Sequence, residues 1–252
     1  MIHLFALLSL LLCGVCYTGF QNSSHFHNTS NRRSLLLLVF GGALLLRLLL
    51  AYTTHGFSND IACFAAWADR IFTLGPGQFY SAEMFTDYPP GFMYVLYLIG
   101  ALRSLLQIPY YSDLHILLLK LPAILCDIAC GFLLYREAVK RLHFSDLQGI
   151  FAASAYLFQP AVILNSSCWG QVDSVYTLMI ILMCLFLMKG NLLPAYAVYG
   201  LGVLLKPQML IFTPVLLAGI WDHVFLQDFS WRKFFYNLCG GLVVICGMLL
   251  LC

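Results

Sequence analysis

The 252-residue chain has few charged residues: Asp, Glu, Lys and Arg make up 10% of it, whereas apolar residues make up 62%. A soluble domain typically has about 25% charged residues and about 45–50% apolar ones. This composition excludes a single water-soluble fold. The formal net charge is only +2, so the chain has no basic surplus with which to follow a phosphate backbone. This argues against a nucleic-acid partner.

The sequence also lacks the patterns of several kinds of site. It contains no Gly-rich phosphate loop, no sustained repeat and no low-complexity tract. Ten cysteines would indicate a disulfide framework in a short secreted chain, but eight of them lie within apolar runs and no Cys/His zinc pattern results. We therefore interpret the cysteines as residues of a membrane core.

Long uncharged runs dominate what is present. A bilayer core of about 30 Å needs about 20 apolar residues per helix, and a crossing chain must satisfy its own backbone polar groups. The runs therefore predict an all-α fold, a polytopic bundle of transmembrane helices. The predicted spans are Ser34–Tyr52, Leu114–Tyr135, Leu147–Asn165, Ser174–Met188, Asn191–Leu205, Pro207–Trp221 and Phe234–Cys252.

The N-terminal region contains a further apolar segment, residues 2–20. It lacks the Lys or Arg that usually opens a signal peptide, and the Gly14–Gly19 stretch is only weakly similar to a cleavage site. We interpret residues 1–30 as an extra span or an uncleaved signal. Residues 31–252 are then expected to form the membrane domain.

The segment Gly91–Gln107 is apolar enough to cross a membrane and equally suits a helix in the membrane interface. The positive-inside rule, which places Lys and Arg in the cytoplasm, decides between the two topologies. If the segment does not cross, eight Lys and Arg residues are cytoplasmic and four are outside; if it does, Arg136, Lys140 and Arg141 move outside. The first topology fits better and makes residues 53–113 one outer loop with amphipathic helices lying on the membrane.

This topology brings three polar islands to the outer side: Asn59-Asp60, Asp87-Tyr88-Pro89-Pro90 and Asn165–Ser174. The first island directly follows the first clear span, so Asp60 lies where the bilayer meets water. A carboxylate there could act as a general base. Alternatively, Ser58, Asn59 or Asp60 caps a helix over Ile61–Leu74, in which apolar residues recur at helical spacing.

The second and third islands also allow two interpretations each. The double proline predicts a rigid turn that opens the next helix, while Asp87 and Tyr88 could still face a cavity. The island Asn165–Ser174 offers Trp169 as an aromatic platform, with amide and carboxylate groups that could reach sugar hydroxyls. It could equally be a polar connecting turn in which Trp169 is an interfacial anchor.

Three cations lie within apolar runs, where ionisable groups are functional candidates by default. Lys206 precedes the helix-breaking Pro207 and could hold an anionic phosphate, or it could snorkel from a tight outer turn. Lys120 and Asp127 are about 10 Å apart along one helix, which is too far for direct pairing, so each needs another partner. Arg47 is a candidate partner for Asp127 or for lipid phosphate, or it snorkels.

An ordered set of short motifs, covering about residues 34–221, resembles one family. The motifs are Asn59-Asp60 with Phe64, Trp67 and Ala68; Gly75-Pro76 with Phe79-Tyr80; Asp87-Tyr88-Pro89-Pro90-Gly91; Lys120-Leu121-Pro122 with Asp127; Trp169-Gly170-Gln171-Val172-Asp173-Ser174; and Lys206-Pro207-Gln208. They resemble the GT-C membrane glycosyltransferases, most closely the bacterial and archaeal mannosyltransferase-like proteins related to the enzyme that adds the second mannose of GPI anchors. Family members normally continue through several more spans, so the chain resembles a C-terminally incomplete member.

The resemblance implies a GT-C-like helical bundle with a large first outer loop and a polyprenyl-phosphate-linked sugar as donor. It implies hexosyl transfer, most closely mannosyl transfer, with inversion to a hydroxyl of a lipid, glycan or protein acceptor. The implied catalytic base is Asp60. The implied ligands of the donor phosphate are Lys206, Lys120 and Arg47. The residues expected to contact sugar or acceptor are Asp87, Tyr88, Trp169, Gln171, Asp173 and Gln208.

The same resemblance implies a multi-pass protein of a bacterial plasma membrane, or of the endoplasmic reticulum in a eukaryote, with its active site on the outer or lumenal side. The sequence predicts no particular cofactor; several carboxylates facing one cavity could hold a divalent cation, although no spacing demands it. Two other interpretations use the same helices. One is a transporter or lipid-handling protein, which also uses broken helices and buried charges; the other is a non-catalytic scaffold that keeps the fold.

Overall fold

The computed structural model describes residues 32–81, 85–226 and 230–251, together with the isolated positions 11, 14, 17 and 18. Within these residues every regular element is helical and none is a strand. The all-α prediction is therefore confirmed for the described chain. The N-terminal segment expected over residues 1–30 lies outside the described residues, apart from those four positions.

The helices carry most of the described chain and are separated by short connections. They are, in chain order, α1 (Arg32–Thr53), α2 (Ser58–Leu74), α3 (Pro90–Leu105), α4 (Asp113–Lys140), α5 (Asp146–Leu157), α6 (Pro160–Ile163), α7 (Asp173–Met188), α8 (Leu192–Leu205), α9 (Thr213–Trp221) and α10 (Trp231–Leu251). Tight 3-10 turns occupy Pro76–Gln78 and Pro207–Phe212, and wide π-helical turns occupy Leu164–Trp169 and Asp222–Leu226.

Local signals in the sequence account for several helix starts. Ser112 caps α4 by accepting the backbone N–H of His115. Ser145 caps α5 in a capping box, in which Ser145 and Gln148 satisfy each other's backbone N–H groups. Pro90 occupies the first turn of α3, where its missing N–H costs nothing. The prediction that the double proline opens this helix is confirmed.

Within the described residues, three helical stretches are long and apolar enough to cross a membrane: Arg32–Thr53, Asp113–Lys140 and Pro207–Leu226. They agree with three of the predicted spans. The helices α3, α7 and α8 are apolar but shorter. By length and composition, the described residues thus contain three candidate membrane spans, or four if the bent pair is counted as one, which is consistent with a membrane protein.

The bent pair corrects the predicted span Leu147–Asn165. This segment is not one straight helix: Asp146–Leu157 and Pro160–Trp169 meet at an angle of 51°. Gln159 has an extended backbone, with ψ at 119°, because the ring of the following proline disfavours the helical conformation there. The chain consequently leaves the first helix and starts a second one at Pro160.

The chain divides into two compact units. The first comprises the chain up to Ala65 together with Ile108–Ser174, and the second comprises Ala66–Gln107 together with Val175–Cys252. In the first unit α1, α4 and α5 pack against one another, and in the second α8 packs against α3, α9 and α10. The buried core of the first unit contains Ala43, Tyr135, Ile150, Ala153 and Leu157. That of the second contains Met183, Leu187, Leu192, Ala195, Tyr196, Met209, Leu216 and Val224.

A fully buried carboxylate, that of Asp127 on α4, is the centre of the polar contacts in the first unit. Its Oδ2 accepts from Arg47 Nε at 3.2 Å and from Ser166 Oγ at 2.6 Å. Its Oδ1 accepts from Tyr156 Oη at 3.2 Å and from Ser174 Oγ at 2.5 Å. We call these five residues the Asp127 network. An unpaired buried ion costs several kcal/mol, so these four donors are what allow a carboxylate in this core.

The Asp127 network predicts an asymmetric response to mutation. Asp127→Leu leaves the Arg47 guanidinium buried without its counter-charge, so we expect a loss of about 3–5 kcal/mol in the free energy of unfolding. The double variant Arg47→Met with Asp127→Leu removes both charges and should recover most of that loss. Unfolding by increasing SDS in mixed micelles, followed by tryptophan fluorescence, measures both variants. An Asp127→Leu protein as stable as the parent would contradict the prediction.

Candidate functional site

Asp60 lies in the first turn of α2 rather than in front of the helix. The helix begins at Ser58, and the Ile61 N–H donates to the carbonyl oxygen of Phe57. Asp60 is therefore already a helical residue, and the predicted cap in front of Ile61–Leu74 is wrong. The side chain is half-buried. A carboxylate in this first turn is favourable because the N-terminal end of a helix carries a partial positive charge.

Two side chains distant in sequence hold the Asp60 carboxylate. Trp169 Nε1 donates to Asp60 Oδ2 at 2.9 Å, and Gln171 Nε2 donates to the same oxygen at 2.5 Å. Oδ1 accepts no hydrogen bond from the described residues. We call Asp60, Trp169 and Gln171 the Asp60 cluster. Three residues expected at the site therefore lie together. Trp169 and Gln171 were expected to contact sugar or acceptor, and in the structure they bind the carboxylate of Asp60.

The π-helical turn Leu164–Trp169 and the glycine after it bring the two donors to Asp60. Gly170 ends the turn in the left-handed conformation, with φ at +88°, and its N–H and that of Gln171 both donate to the Asn165 carbonyl oxygen. A Cβ atom at Gly170 would lie 2.6 Å from Ile61 Cδ1. Both the backbone conformation and the lack of space therefore require glycine at this position.

The segment that follows α1 is pinned to the same turn. Phe57 N–H donates to the Trp169 carbonyl oxygen at 2.9 Å, and the two aromatic rings lie 5.2 Å apart between centroids. Thr54 Oγ1 lies 3.3 Å from the Ser167 carbonyl oxygen, within donating distance. Sequence reasoning missed Phe57 and Thr54, because nothing in their local pattern indicates which distant turn they contact.

Asp173 contributes to the turn rather than to the carboxylate. Its Oδ2 accepts from Asn165 Nδ2 at 2.9 Å, and the residue begins α7. This bond joins the start of the π-helical turn to the start of the next helix. Asp173 therefore stabilises the loop that carries Trp169 and Gln171.

Lys120 is buried on α4 and directed at the end of α1. Its Nζ donates to the carbonyl oxygens of Ala51 and Thr54 at 3.2 and 2.6 Å and to Thr54 Oγ1 at 3.1 Å. An ammonium group has three donors, and cations are favourable at the C-terminal end of a helix. Lys120 therefore caps α1, and these contacts lend no support to the phosphate-binding role expected for it.

Arg47 is fully buried and does not snorkel. Its Nε contacts Asp127, and its Nη1 lies 3.3 Å from the Ala43 carbonyl oxygen. The two partners expected for Arg47 were Asp127 and lipid phosphate, and in the structure Arg47 contacts the Asp127 carboxylate. The expectation that Lys120 and Asp127 each find a separate partner is confirmed. The contacts of Arg47 lend no support to a role at the donor phosphate.

Lys206 belongs to the second unit and is almost fully buried, with 7% of its surface exposed. Its Nζ lies 5.7 Å from the ring centroids of both Tyr88 and Tyr176. We call these three residues the Lys206 cluster. Ammonium groups are attracted to aromatic faces at this distance. The lysine therefore lies between two rings and is not extended to the surface as the snorkelling alternative required.

The chain around Tyr88 is held by further aromatic contacts. The Tyr88 ring lies 5.7 Å from that of Trp67 and 5.3 Å from that of Phe92, and Trp67 Nε1 donates to the Phe85 carbonyl oxygen at 3.1 Å. Two other residues expected to contact sugar or acceptor, Asp87 and Gln208, are exposed. Among the described contacts, neither is bonded to the Lys206 cluster.

The second unit also contains an apolar cavity of about 500 Å³ bordered by α8, α9 and α10. Val203 and Leu210, which flank Lys206 in the chain, both line it. Gly241 of α10 lines it as well, and a Cβ atom there would meet nothing within 4 Å. The cavity therefore has the lining and the room for an alkyl or isoprenoid chain.

The groups available for chemistry are thus a carboxylate with its indole and amide donors and, in the other unit, an ammonium between phenol rings. In the described ranges, no three His, Cys, Asp or Glu residues are grouped so that they could hold a metal ion. Comparison with protein families and with curated proteins gives no further indication of function. No protein-family model matches the chain, and no curated protein matches its sequence.

Proposed function

We propose that the protein is a GT-C-type membrane glycosyltransferase that transfers a hexosyl group, specifically mannosyl, from a polyprenyl-phosphate donor to a hydroxyl of a lipid, glycan or protein acceptor. The Asp60 cluster carries the proposal: Oδ2 of this half-buried carboxylate is held by two side-chain donors, while Oδ1 accepts none from the described residues. The motif resemblance supports the same assignment, because it implies a catalytic base at Asp60.

The proposed reaction is a single displacement. Oδ1 of Asp60 takes the proton of the acceptor hydroxyl while the acceptor oxygen forms a bond to the anomeric carbon. The bond from that carbon to the phosphate oxygen breaks on the opposite face, and the polyprenyl phosphate leaves with the electron pair, so the configuration inverts. The donors on Oδ2 fix the plane of the carboxylate and hence the direction of the Oδ1 lone pairs. General bases of this kind contribute about 10²–10⁴-fold in rate.

Lys206 is the residue we assign to the donor phosphate. Its Nζ lies 5.7 Å from the ring centroids of Tyr88 and Tyr176, and a lysine ammonium is a compact point charge that attracts a phosphate. In a desolvated setting such a charge also stabilises the negative charge that develops on the leaving phosphate. The apolar cavity lined by Val203 and Leu210 is assigned to the isoprenoid chain of the same donor.

The proposed orientation places residues 53–113 on the outer or lumenal side of a bacterial plasma membrane or of the endoplasmic reticulum. The bias of Lys and Arg towards the other loops supports this orientation. In this orientation α2 and α3 lie in the membrane interface.

The base is tested by Asp60→Asn in protein reconstituted into vesicles with polyprenyl-phosphate mannose and a panel of acceptors. We expect transfer to fall by about 10²–10⁴-fold, because the amide cannot take the proton. Asp113→Asn is the matched control: it alters an exposed carboxylate in the first turn of α4 and should keep parental activity. Full activity of Asp60→Asn would overturn the proposed function. Folded wild-type protein that transfers no sugar to any acceptor would favour the scaffold.

The phosphate ligand is tested by Lys206→Gln. Loss of a charged contact to the donor should raise the KM for polyprenyl-phosphate mannose by about 10- to 100-fold. Lys189→Gln removes an exposed lysine of the same unit and should leave this KM unchanged. An unchanged donor KM in Lys206→Gln, measured in vesicles over a range of donor concentrations, would overturn the assignment of this lysine.

The chain-binding cavity is tested by two matched glycine substitutions in α10. Gly241→Leu should fill part of the cavity and raise the KM for the donor several-fold, because the isoprenoid chain loses its space. Gly247 also has nothing within 4 Å of its Cβ position but does not line the cavity, so Gly247→Leu should leave the KM unchanged. Equal KM values for the two variants would count against the cavity as the site of the chain.

A further inference from the structure

The loop that carries Trp169 and Gln171 is tied at both ends to one carboxylate. Ser166 Oγ lies 2.6 Å from Asp127 Oδ2, and Ser174 Oγ lies 2.5 Å from Asp127 Oδ1. Both serines are buried. Trp169 and Gln171 lie between these two anchor points, so the loop over residues 166–174 is closed by Asp127. The contact between Asn165 and Asp173 closes the same loop a second time.

Ser166 has three possible acceptors for its single hydroxyl hydrogen, of which Ser167 Oγ, at 3.3 Å, is the most distant. The Val162 carbonyl oxygen is 3.1 Å away, whereas Asp127 Oδ2 is 2.6 Å away. The shorter bond has a charged acceptor, and such bonds are about twice as strong as those between neutral groups. The bond to Asp127 therefore dominates and links the π-helical turn to α4.

The position of the Asp127 carboxylate is itself strongly constrained. Arg47 of α1 and Tyr156 of α5 donate to it from two further helices. Four donors from different elements leave the carboxylate little freedom to rotate or shift. It can therefore serve as a fixed point against which the loop is placed.

Stability alone does not account for such a network. Replacing a buried ion pair by apolar residues of similar volume is often neutral or stabilising, so a buried pair is weak evidence for stability. Hydrogen bonds constrain direction as well as distance, whereas the hydrophobic effect is non-directional. The feature that the network fixes is the loop with the two donors of Asp60.

We infer that Asp127 is a positioning residue for Asp60: by bonding to Ser166 and Ser174 it closes the loop over residues 166–174 and holds the Trp169 indole and the Gln171 amide against the Asp60 carboxylate. The catalytic consequence rests on the proposed function. The positional consequence does not, because it concerns contacts among the described residues alone. The two can therefore be tested separately.

The positional part is tested by ¹⁹F NMR of full-length protein in micelles, labelled with 5-fluorotryptophan. The Trp169 resonance is assigned with Trp169→Phe, and its position without the carboxylate acceptor is defined with Asp60→Ala. In Ser166→Ala with Ser174→Ala we expect this resonance to move towards the Asp60→Ala position or to broaden. An unchanged Trp169 resonance in the double serine variant would overturn the inference.

Tyr156→Phe provides the matched control. It also removes a hydroxyl donor from Asp127 Oδ1, but Tyr156 lies on α5 and not in the loop. We expect its Trp169 resonance to stay at the wild-type position. A shift equal to that of the double serine variant would overturn the inference, because any weakening of the Asp127 network would then have the same effect as opening the loop.

The catalytic part is tested by transfer kinetics. The double serine variant should lose about 10- to 100-fold in kcat with little change in KM, because the base is misaligned while substrate binding is kept. Arg47→Met with Asp127→Leu should show the same kcat loss despite its recovered stability, which a purely structural role would not produce. A moved Trp169 resonance with wild-type kcat would overturn the positioning role. Full activity of Asp60→Asn would overturn the proposed function instead and leave the NMR result standing.

Discussion

The cost of burying the Asp127 carboxylate is the constraint on which the arrangement of the first unit depends. An ion in this core is tolerated only with directed donors on both of its oxygens, and those donors come from α1, α5, the π-helical turn and the start of α7. Each donor must therefore lie at hydrogen-bonding distance from one point on α4. The bend at Gln159-Pro160 is part of this solution, because it leads the chain from α5 into the turn that carries Ser166.

The same constraint connects a buried network to a half-exposed one. Ser166 faces Asp127, and Trp169, three residues later in the same turn, faces Asp60. The turn thus has one end in the core and the other at the carboxylate proposed as the base. In the second unit, the ammonium of Lys206 is stabilised differently, by aromatic faces. A carboxylate suits the removal of a proton, whereas an ammonium suits the binding of a phosphate.

Much of the helical fold could be predicted from local properties of the sequence. The apolar runs Ser34–Tyr52 and Leu114–Tyr135, which lie within the helices Arg32–Thr53 and Asp113–Lys140, could be found because hydropathy and backbone hydrogen bonding depend on neighbouring residues. The start of α3 at Pro90 followed from the fixed φ of proline. The bend at Gln159 was missed because apolar content alone does not distinguish a straight helix from two helices at an angle. The start of α2 was misplaced because the residues Ser58, Asn59 and Asp60 are common caps, and only the contact of Ile61 with Phe57 shows that the helix begins earlier.

For the site, the sequence by itself determined which residues are chemically able to act: a carboxylate after the first span, a Trp-Gly-Gln island, and cations within apolar runs. Only the tertiary structure decided their partners. It joins Arg47 to Asp127, makes Lys120 the cap of α1, and directs Trp169 and Gln171 at Asp60 across 109 and 111 positions of chain. The physical reason is that a hydrogen bond acts over about 3 Å of space whatever the distance along the chain. Its partner is therefore set by which segments the packing of the helices brings together, and no local pattern contains that information.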